Sequence, residues 1–404
     1  MERAKRTGLV LEIEAQTPLA IGERKPMGRS AQALLCIPGG LIRGALANLI
    51  LQLSDEPSGE IHHLCPGKDG APADCDFCAL FLREETAAIF GNAYPSKKSF
   101  DGPHLLPATA HSCKDEGGFL GSVKGGKPCH GVFDTLIDGL CSEELRVVIP
   151  YHPRCHYCGG RVEAYSGFYS KAVGEESATV FLKESVPQRL LTRVAINRRR
   201  LTVEDQLLYS ISVLSEAVKA RPSPRFISSE AKDSKLPSRF VARVDLPAPL
   251  VAEARELFSR VSHLGGGLSR GLGRVKIDAA EEVSDTHDSI ERRVKKFNDV
   301  LKKRWSLFKR LPCETPLAID APDEWSYFTI DLQSDAILFD RDGWRRTMVL
   351  SEEILRREGG ISEHVELVRS HANYTYRSGW NGAQGYFKDV DVATAMGSVF
   401  VYRA

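Results

Sequence analysis

The sequence has almost no net charge. Its 54 Lys and Arg are set against 53 Asp and Glu, for a formal charge of +1. A chain so balanced is not drawn to nucleic acid as a whole, so any basic surface must be local and is to be sought in clusters. Long apolar runs are also missing. The N-terminus reads Met1-Glu2-Arg3-Ala4-Lys5-Arg6, and no stretch of signal-peptide or membrane-span length follows. The expected location is the cytoplasm, where ten cysteines do not build a disulfide framework and clustered ones more often bind metal. Catalytic signatures are scarce too. His104, His111, His152, His263 and His371 are scattered, with no acid or nucleophile beside them in a recognisable motif, so no catalytic residue is expected. What is present is an ordinary globular composition, 42% hydrophobic and 26% charged, over 404 residues. That length is enough for two or three units with sizeable cores.

Leu9, Leu11 and Ile13 alternate with Val10, Glu12 and Glu14, a half-buried strand that ends at Thr17-Pro18. Ile37-Pro38-Gly39-Gly40 then leads into Leu41–Leu53, which suits a buried helix. From about 54 to 185 the character changes: Gly, Pro, Asp, Lys and Cys are frequent, and long periodic stretches vanish. This reads as an irregular, cysteine-rich insertion. Regular patterns return with Leu207–Val213, where the pattern fits strand or helix. A strand over Arg239–Leu246, a helix over Leu250–Leu264 and a strand over Arg274–Ala279 follow. The order of strand, helix, insertion, strand, strand, helix, strand is that of a ferredoxin-like (RRM-like) domain, expected over 1–283. A second α+β domain is expected over 284–404. It opens on a helix whose apolar stripe runs Ile290, Val294, Phe297, Leu301, Trp305, Phe308. From Glu291 to Arg310 that helix carries nine Lys or Arg against two acids, so its other face is basic.

Three constellations carry chemistry. The first is Leu264-Gly265-Gly266-Gly267-Leu268-Ser269-Arg270-Gly271-Leu272-Gly273-Arg274. Glycine admits positive φ and close approach, successive amides in such a turn can form an anion-binding nest, and Arg270 and Arg274 offer guanidinium forks for phosphate. The stretch follows a helix and precedes a strand, the reverse of the nucleotide-binding loops, which excludes ATP and NAD readings. The plain alternative is a flexible connection. The second is Arg193-Val194-Ala195-Ile196-Asn197-Arg198-Arg199-Arg200, with four arginines in eight residues and no acid before Glu204; arginine both forks onto phosphate and stacks on bases. The third is cysteine. Cys155-His156-Tyr157-Cys158-Gly159-Gly160 is a knuckle-like turn that offers two thiolates to one ion, and tetrahedral zinc needs two more ligands. Cys113 and Cys129 are the nearest candidates, with His130 as a substitute for Cys129. Asp74-Cys75-Asp76-Phe77-Cys78, with Cys65 and His62 or His63 upstream, is a second candidate group. Cys36, Cys141 and Cys313 stand alone. A closed four-ligand site would be structural zinc, bracing the insertion.

The chain resembles the RAMP superfamily of CRISPR systems. Ile37 to Ala47 looks like that family's loop into the first helix, Leu264 to Arg274 like its glycine-rich loop, and Trp380-Asn381 with Gly397 to Phe400 like the ending of its large two-domain members. Pro107 to Lys114, His130 to Asp134, the Cys155–Cys158 knuckle, Arg193 to Arg198 and Leu208-Tyr209-Ser210, in that order, are similar to the large RAMP subunit of type III-D interference complexes, grouped with the subunits that cap the 5′ handle of the guide RNA. The resemblance implies a non-catalytic scaffold in an antiviral ribonucleoprotein, holding guide RNA (crRNA) and contacting a large signalling subunit and backbone RAMP subunits, with target RNA met indirectly. The implied RNA contacts are Gly265, Gly266, Gly267, Arg270, Gly271, Gly273 and Arg274, with Arg193, Arg198, Arg199, Arg200 and Arg43 along the path. It also implies that Leu207–Val213 is a strand. The rival reading within the same superfamily is a metal-independent, guide-processing endoribonuclease that uses His263. A zinc-containing protein adaptor that never touches RNA is the third.

Overall fold

The computed structural model describes residues 6–23, 32–53, 77–82, 87–97, 102–149, 151–173, 179–197, 199–200, 202–219, 235–281, 286–312, 325–340, 342–361, 364–381 and 385–404. The fold is α+β and mostly strands. It divides into two units. One is made of Met1–Pro103, Glu184–Ser284 and Arg377–Val390; the other of His104–Lys183, Asp285–Tyr376 and Asp391–Ala404.

The core of the first unit is one antiparallel sheet. The strand Arg6–Ala15 lies between Arg239–Pro247 and Val275–Glu281, with Leu11 opposite Ala242 on one side and Ile13 opposite Ile277 on the other. Ile89–Phe90 and Tyr94–Ser96 pair with the outer side of Arg239–Pro247. Strand alternation puts Leu9, Leu11 and Ile13 on one face, all fully buried, and their partners Val244, Ala242 and Phe240 beside them. Two helices cover that face. Gly39–Leu53 contributes Ile42 and Leu46, and Val251–Arg260 contributes Val251, Ala254 and Phe258; the spacings of three, four and seven are one helical stripe. Glu12 and Glu14 alternate with the buried trio, and both reach Arg239, at 3.5 and 3.2 Å. Along the chain the unit runs strand, helix, strand, strand, helix, strand. Across the sheet the order is last, first, third, second.

A long two-stranded ribbon rises from this unit: Gln188–Asn197 paired antiparallel with Thr202–Leu214. The stretch from Leu207 to Val213 is therefore a strand. Val213 and Leu214 at its root are fully buried, and Leu214 exchanges backbone hydrogen bonds of 2.9 and 3.0 Å with Leu19.

The second unit has its own core. Its three-stranded sheet places Val399–Arg403 between Tyr327–Asp331 and Glu366–His371. On one face Val399 and Val401 meet Leu301 and Trp305 of the long helix Thr286–Phe308, together with Leu136, Leu140 and Cys141 of the helix Leu136–Glu144. Arg304 forks onto Asp138, Nε to Oδ1 at 2.6 Å and Nη2 to Oδ2 at 2.7 Å, so part of the basic face serves a contact within the unit. On the other face Phe400 and Tyr402 meet Leu355 and Val365. Ser351 caps the helix Glu352–Gly359, its side chain accepting from the Ile354 amide. Residues 104–183, part of the stretch expected as an insertion in the N-terminal domain, thus share a unit with 285–376 and 391–404. No described helix is long and apolar enough to cross a membrane.

Candidate functional site

The glycine stretch links the helix Val251–Arg260 to the strand Val275–Glu281. Within it Leu268–Arg270 form one 3-10 turn between Gly267 and Gly271, both left-handed at φ 73° and 76°. Several amides of the stretch are spent on partners within the first unit. Gly266 N–H donates to Ala20 O at 2.9 Å, Gly273 N–H to Pro18 O at 2.9 Å and Leu264 N–H to Gly273 O at 2.7 Å. Arg270, Gly271 and Leu272 N–H donate within the turn, and Arg274 N–H donates to Thr17 Oγ1 at 2.9 Å. Two of the glycines are set by crowding. A Cβ on Gly265 (φ 90°) would lie 2.7 Å from Ala20 O, and one on Gly273 (φ 84°) 2.5 Å from Leu264 O. The segment Thr17–Ile21 clasps the loop, and the glycines let it approach. The Arg270 and Arg274 side chains remain exposed.

Arg193 of the second basic cluster comes to the same place. Arg193 sits on the ribbon directly opposite Tyr209. Its Nη1 donates to Arg270 O at 3.0 Å. Arg270 Nη1 in turn donates to Tyr209 Oη at 2.9 Å, with its guanidinium 5.5 Å from the ring centroid. Arg193, Tyr209 and Arg270 form one knot that ties ribbon to loop. Tyr209 is 37% exposed, and its ring and two guanidinium groups are the chemistry that stacks on bases and forks onto phosphates. Charge reading picks out the two arginines but has no signal for Tyr209, which enters the sequence only within the Leu208-Tyr209-Ser210 resemblance.

The cysteines gather in the second unit. Cys113 ends the strand Ala110–Cys113, and Val162 pairs with it. That register brings the Cys155–Gly160 turn alongside. The turn closes by Cys155 N–H to Gly160 O (2.9 Å) and Gly159 N–H to Cys155 O (2.8 Å), with Arg154 opposite Arg161 across it. The ligating atoms of Cys113, His130, Cys155 and Cys158 all lie within 4.8 Å of one another. Cys113 Sγ is 3.7 Å from Cys158 Sγ, and Cys155 Sγ 3.4 Å from His130 Nδ1. With metal–sulfur bonds of ~2.3 Å, two thiolates of a tetrahedral site stand ~3.8 Å apart, so the donor set fits one ion. Burial pushes the Cys155 thiol up, but hydrogen bonds from the Cys158 and Tyr157 backbones outweigh it and hold the thiol below its ordinary value.

The fourth member of this cluster is His130; Cys129 is not part of it. Cys129 donates its amide to Ser122 O and His130 donates its own to Glu116 O, so these consecutive residues face different neighbours. Cys129 is buried, with its Sγ against Gly118, and burial raises its thiol pKa. In the other expected group, Cys78 is buried in the short helical turn Cys78–Leu82; Cys65 and Cys75, with His62 and His63, lie outside the described residues.

The model of the RAMP superfamily matches residues 12–276. The chain belongs to the RAMP superfamily. No curated protein matches the sequence. Among solved structures, a chain of the Type III-B Cmr-beta complex bound to cognate target RNA and AMPPnP is 12% identical at a TM-score of 0.38, the match covering 97% of this chain and 86% of that one. A chain of Type III-B Cmr-beta bound to cognate target RNA is 13% identical at a TM-score of 0.36, with the same coverages.

The range matched in this RAMP protein holds the loop, the ribbon and the four clustered ligands. Of the remaining candidates, Arg199 and Arg200 are exposed at the turn of the ribbon, and Arg198 lies outside the described residues. Arg43 is engaged within the first unit, its Nη2 donating to Phe81 O at 3.3 Å and its guanidinium 5.3 Å from the Phe81 ring. His263 is exposed, bridges to Arg274 across the base of the loop and has Nδ1 2.9 Å from Ser262 Oγ.

Proposed function

We propose that this chain is a non-catalytic, guide-RNA-binding subunit of a type III-D CRISPR ribonucleoprotein, gripping the 5′ handle of the guide. The observation that carries the reading is the Arg193–Tyr209–Arg270 knot, which joins two separately basic segments of a RAMP protein into one surface. Arg270 and Arg274 hold phosphates at the loop, with Gly265, Gly266, Gly267, Gly271 and Gly273 shaping the backbone that lets RNA come close. Arg193 and the ribbon arginines Arg198, Arg199 and Arg200 continue the path. Arg43 lies further along it. The unit that bears them is of ferredoxin-like type: a strand order of last, first, third, second, with a helix after the first and after the third, supports that assignment. The 284–404 region is read as a second RAMP-like domain. The partners are the guide RNA, a large signalling subunit and backbone RAMP subunits, with target RNA met through the guide, all in the cytoplasm.

Cys113, His130, Cys155 and Cys158 would hold a structural zinc ion. Three thiolates and an imidazole close all four positions, so the ion would brace the turn and activate no water.

The test of the main reading is crosslinking of the purified chain to guide RNA. Wild type is expected to crosslink, and Arg270→Glu/Arg274→Glu to lose most of the signal; equal crosslinking in both would refute the site. One observation favours a second reading: His263 is paired with Arg274 at the loop, where an endoribonuclease would keep a general base. Specific cleavage of precursor repeat RNA that disappears in His263→Ala would establish it. An adaptor role without RNA would leave wild type uncrosslinked.

A further inference from the structure

In the second unit an open depression of about 460 Å³ lies beside the cysteine cluster, lined by His111, His152, Pro153, Arg154, Arg161 and Val162. Its cationic groups are not a chance scatter along the chain. Arg154 and Arg161 are direct antiparallel partners, and directly opposed residues of such a pair project to the same side. They flank the Cys155–Gly160 turn, one residue before its first cysteine and one after its last glycine. A metal ion held at that turn would hold the two strands that carry the guanidinium groups in place. His111 comes from the neighbouring strand, two residues before Cys113. Its Nδ1 donates to Thr109 O at 2.9 Å, since a carbonyl only accepts. Arg154 and His152 are exposed. Arg161 pairs with Glu163. Glu163 lies 3.8 Å from Arg161 and 3.5 Å from Lys114, so two cations share this one carboxylate. Tyr157, at the tip of the turn, is 65% exposed and stacks on the candidate ligand His130, with centroids 5.5 Å apart.

We propose that this depression is a second RNA-contact site, separate from the glycine loop. A phosphodiester sits on the Arg154–Arg161 fork, and Tyr157 at the tip of the turn offers a face to an adjacent unpaired base. The chemistry is that of the ligand: guanidinium forks match phosphate oxygens, histidines add donors or acceptors at the walls, and an exposed aromatic beside a basic groove is the means by which single-stranded RNA is held without sequence preference. The cluster's role is then to set the geometry of the fork and takes no part in chemistry. The inference rests on the guide-RNA reading above. It adds that the RNA path includes the second unit.

The experiment compares full-length wild type, Arg154→Gln/Arg161→Gln, Arg154→Lys/Arg161→Lys and Arg270→Gln for binding of fluorescent guide RNA across a salt series, with the metal content of each measured. Binding by wild type, an affinity loss of about tenfold or more and a salt slope lower by ~1.4 in the double glutamine variant, at unchanged metal content, are expected from the loss of two phosphate contacts on a single strand. The lysine variant should restore the slope but only part of the affinity, since it keeps charge and loses the fork. A second arm titrates AMP and inorganic phosphate. Saturable binding of either that the glutamine variant loses, with RNA affinity intact, would give the site to a free phosphate ligand and overturn the proposal. A third arm asks whether the glutamine variant still co-purifies with the other subunits of the complex. Lost association with intact RNA affinity would mark a contact for an acidic protein face, and would overturn it as well. If Arg270→Gln weakens RNA binding while the double glutamine variant binds as wild type, this site falls and the loop reading stands. If wild type binds no RNA, both fall.

Discussion

Replacing His130 and, separately, Cys129 tests the candidate metal centre where the structure is most specific. The two residues are neighbours in sequence, and both types ligate zinc. Only His130 has its ligating atom within 4.8 Å of the three thiols. Structural zinc sites in small peptides bind with roughly 10–16 kcal/mol at neutral pH. If the four ligands share that evenly, each accounts for about 3–4 kcal/mol, so His130→Ala should weaken metal binding on the order of a hundredfold or more. Cys129→Ala should leave metal affinity unchanged. It removes a sulfur from a site that is 6% exposed and should cost about 1 kcal/mol of stability through the small void it leaves. The assay is competition against a chromophoric chelator, with metal per chain measured in parallel. Acidification adds a second readout with a fixed sign. Three thiols must lose protons to bind the ion, so affinity falls as pH drops below the thiol range, by up to about a thousandfold per unit. Cys155, held below its ordinary value, contributes to that slope only at the lower end. Cys129→Ala stripping the metal while His130→Ala retains it would refute the ligand assignment.

The loop glycines separate by what a methyl group would meet. Gly273→Ala puts a Cβ 2.5 Å from Leu264 O at φ 84° and should destabilise the fold by more than about 2 kcal/mol, whereas Gly271→Ala, at φ 76° with nothing within 4 Å, should cost only the left-handed penalty of about 1 kcal/mol; thermal melts that rank the two equally would count against the close approach of Gly273 to Leu264. His371 is held below its ordinary value by burial first and Arg369 second. Its folded pKa is depressed, so its contribution to stability is complete above the ordinary value of 6.5 and is lost as pH falls towards the folded one; His371→Gln should therefore flatten the pH dependence of urea midpoints below that value, and an unchanged profile would remove His371 as its source.

Local pattern made much of the fold legible. Leu9, Leu11 and Ile13 specify a strand and its buried face before any partner is known, because period-two alternation belongs to the backbone itself. Ser351 before Glu352 and Glu353 gives the start of a helix for the same local reason. Residues 104–183 were not legible in this way. Their packing depends on Leu136 and Leu140 meeting Leu301 and Trp305, more than 150 positions later in the chain, and no window of sequence holds both halves of that contact. The metal centre divides along the same line. C-x-x-C spacing is a property of one turn and can be read directly. Which of Cys129 and His130 has its ligating atom beside the three thiols depends on how the loop folds, and no spacing in the sequence carries that.

At the glycine stretch the composition was legible while its use was not. Glycines and arginines together suggest an amide nest with two forks, and the residues are those of such a site. The amides of Gly266 and Gly273 are instead taken by Ala20 and Pro18, carbonyls some 250 positions earlier in the chain, so those two amides are not offered to an anion. That changes what a substitution should do. A nest would make glycine replacements primarily binding mutations. A clasped loop makes Gly265 and Gly273 stability mutations and leaves Arg270 and Arg274 to carry the electrostatics. Arg270 is the point where the two meet: its carbonyl accepts from Arg193 while its guanidinium lies over Tyr209. Replacing it with Gln should loosen the ribbon only slightly, since an exposed hydrogen bond and cation–π contact are worth about 1 kcal/mol each. The loss of a phosphate contact should lower the salt slope for single-stranded RNA by ~0.7. A normal slope with a loosened ribbon would mean that the knot is structural and that RNA is held elsewhere.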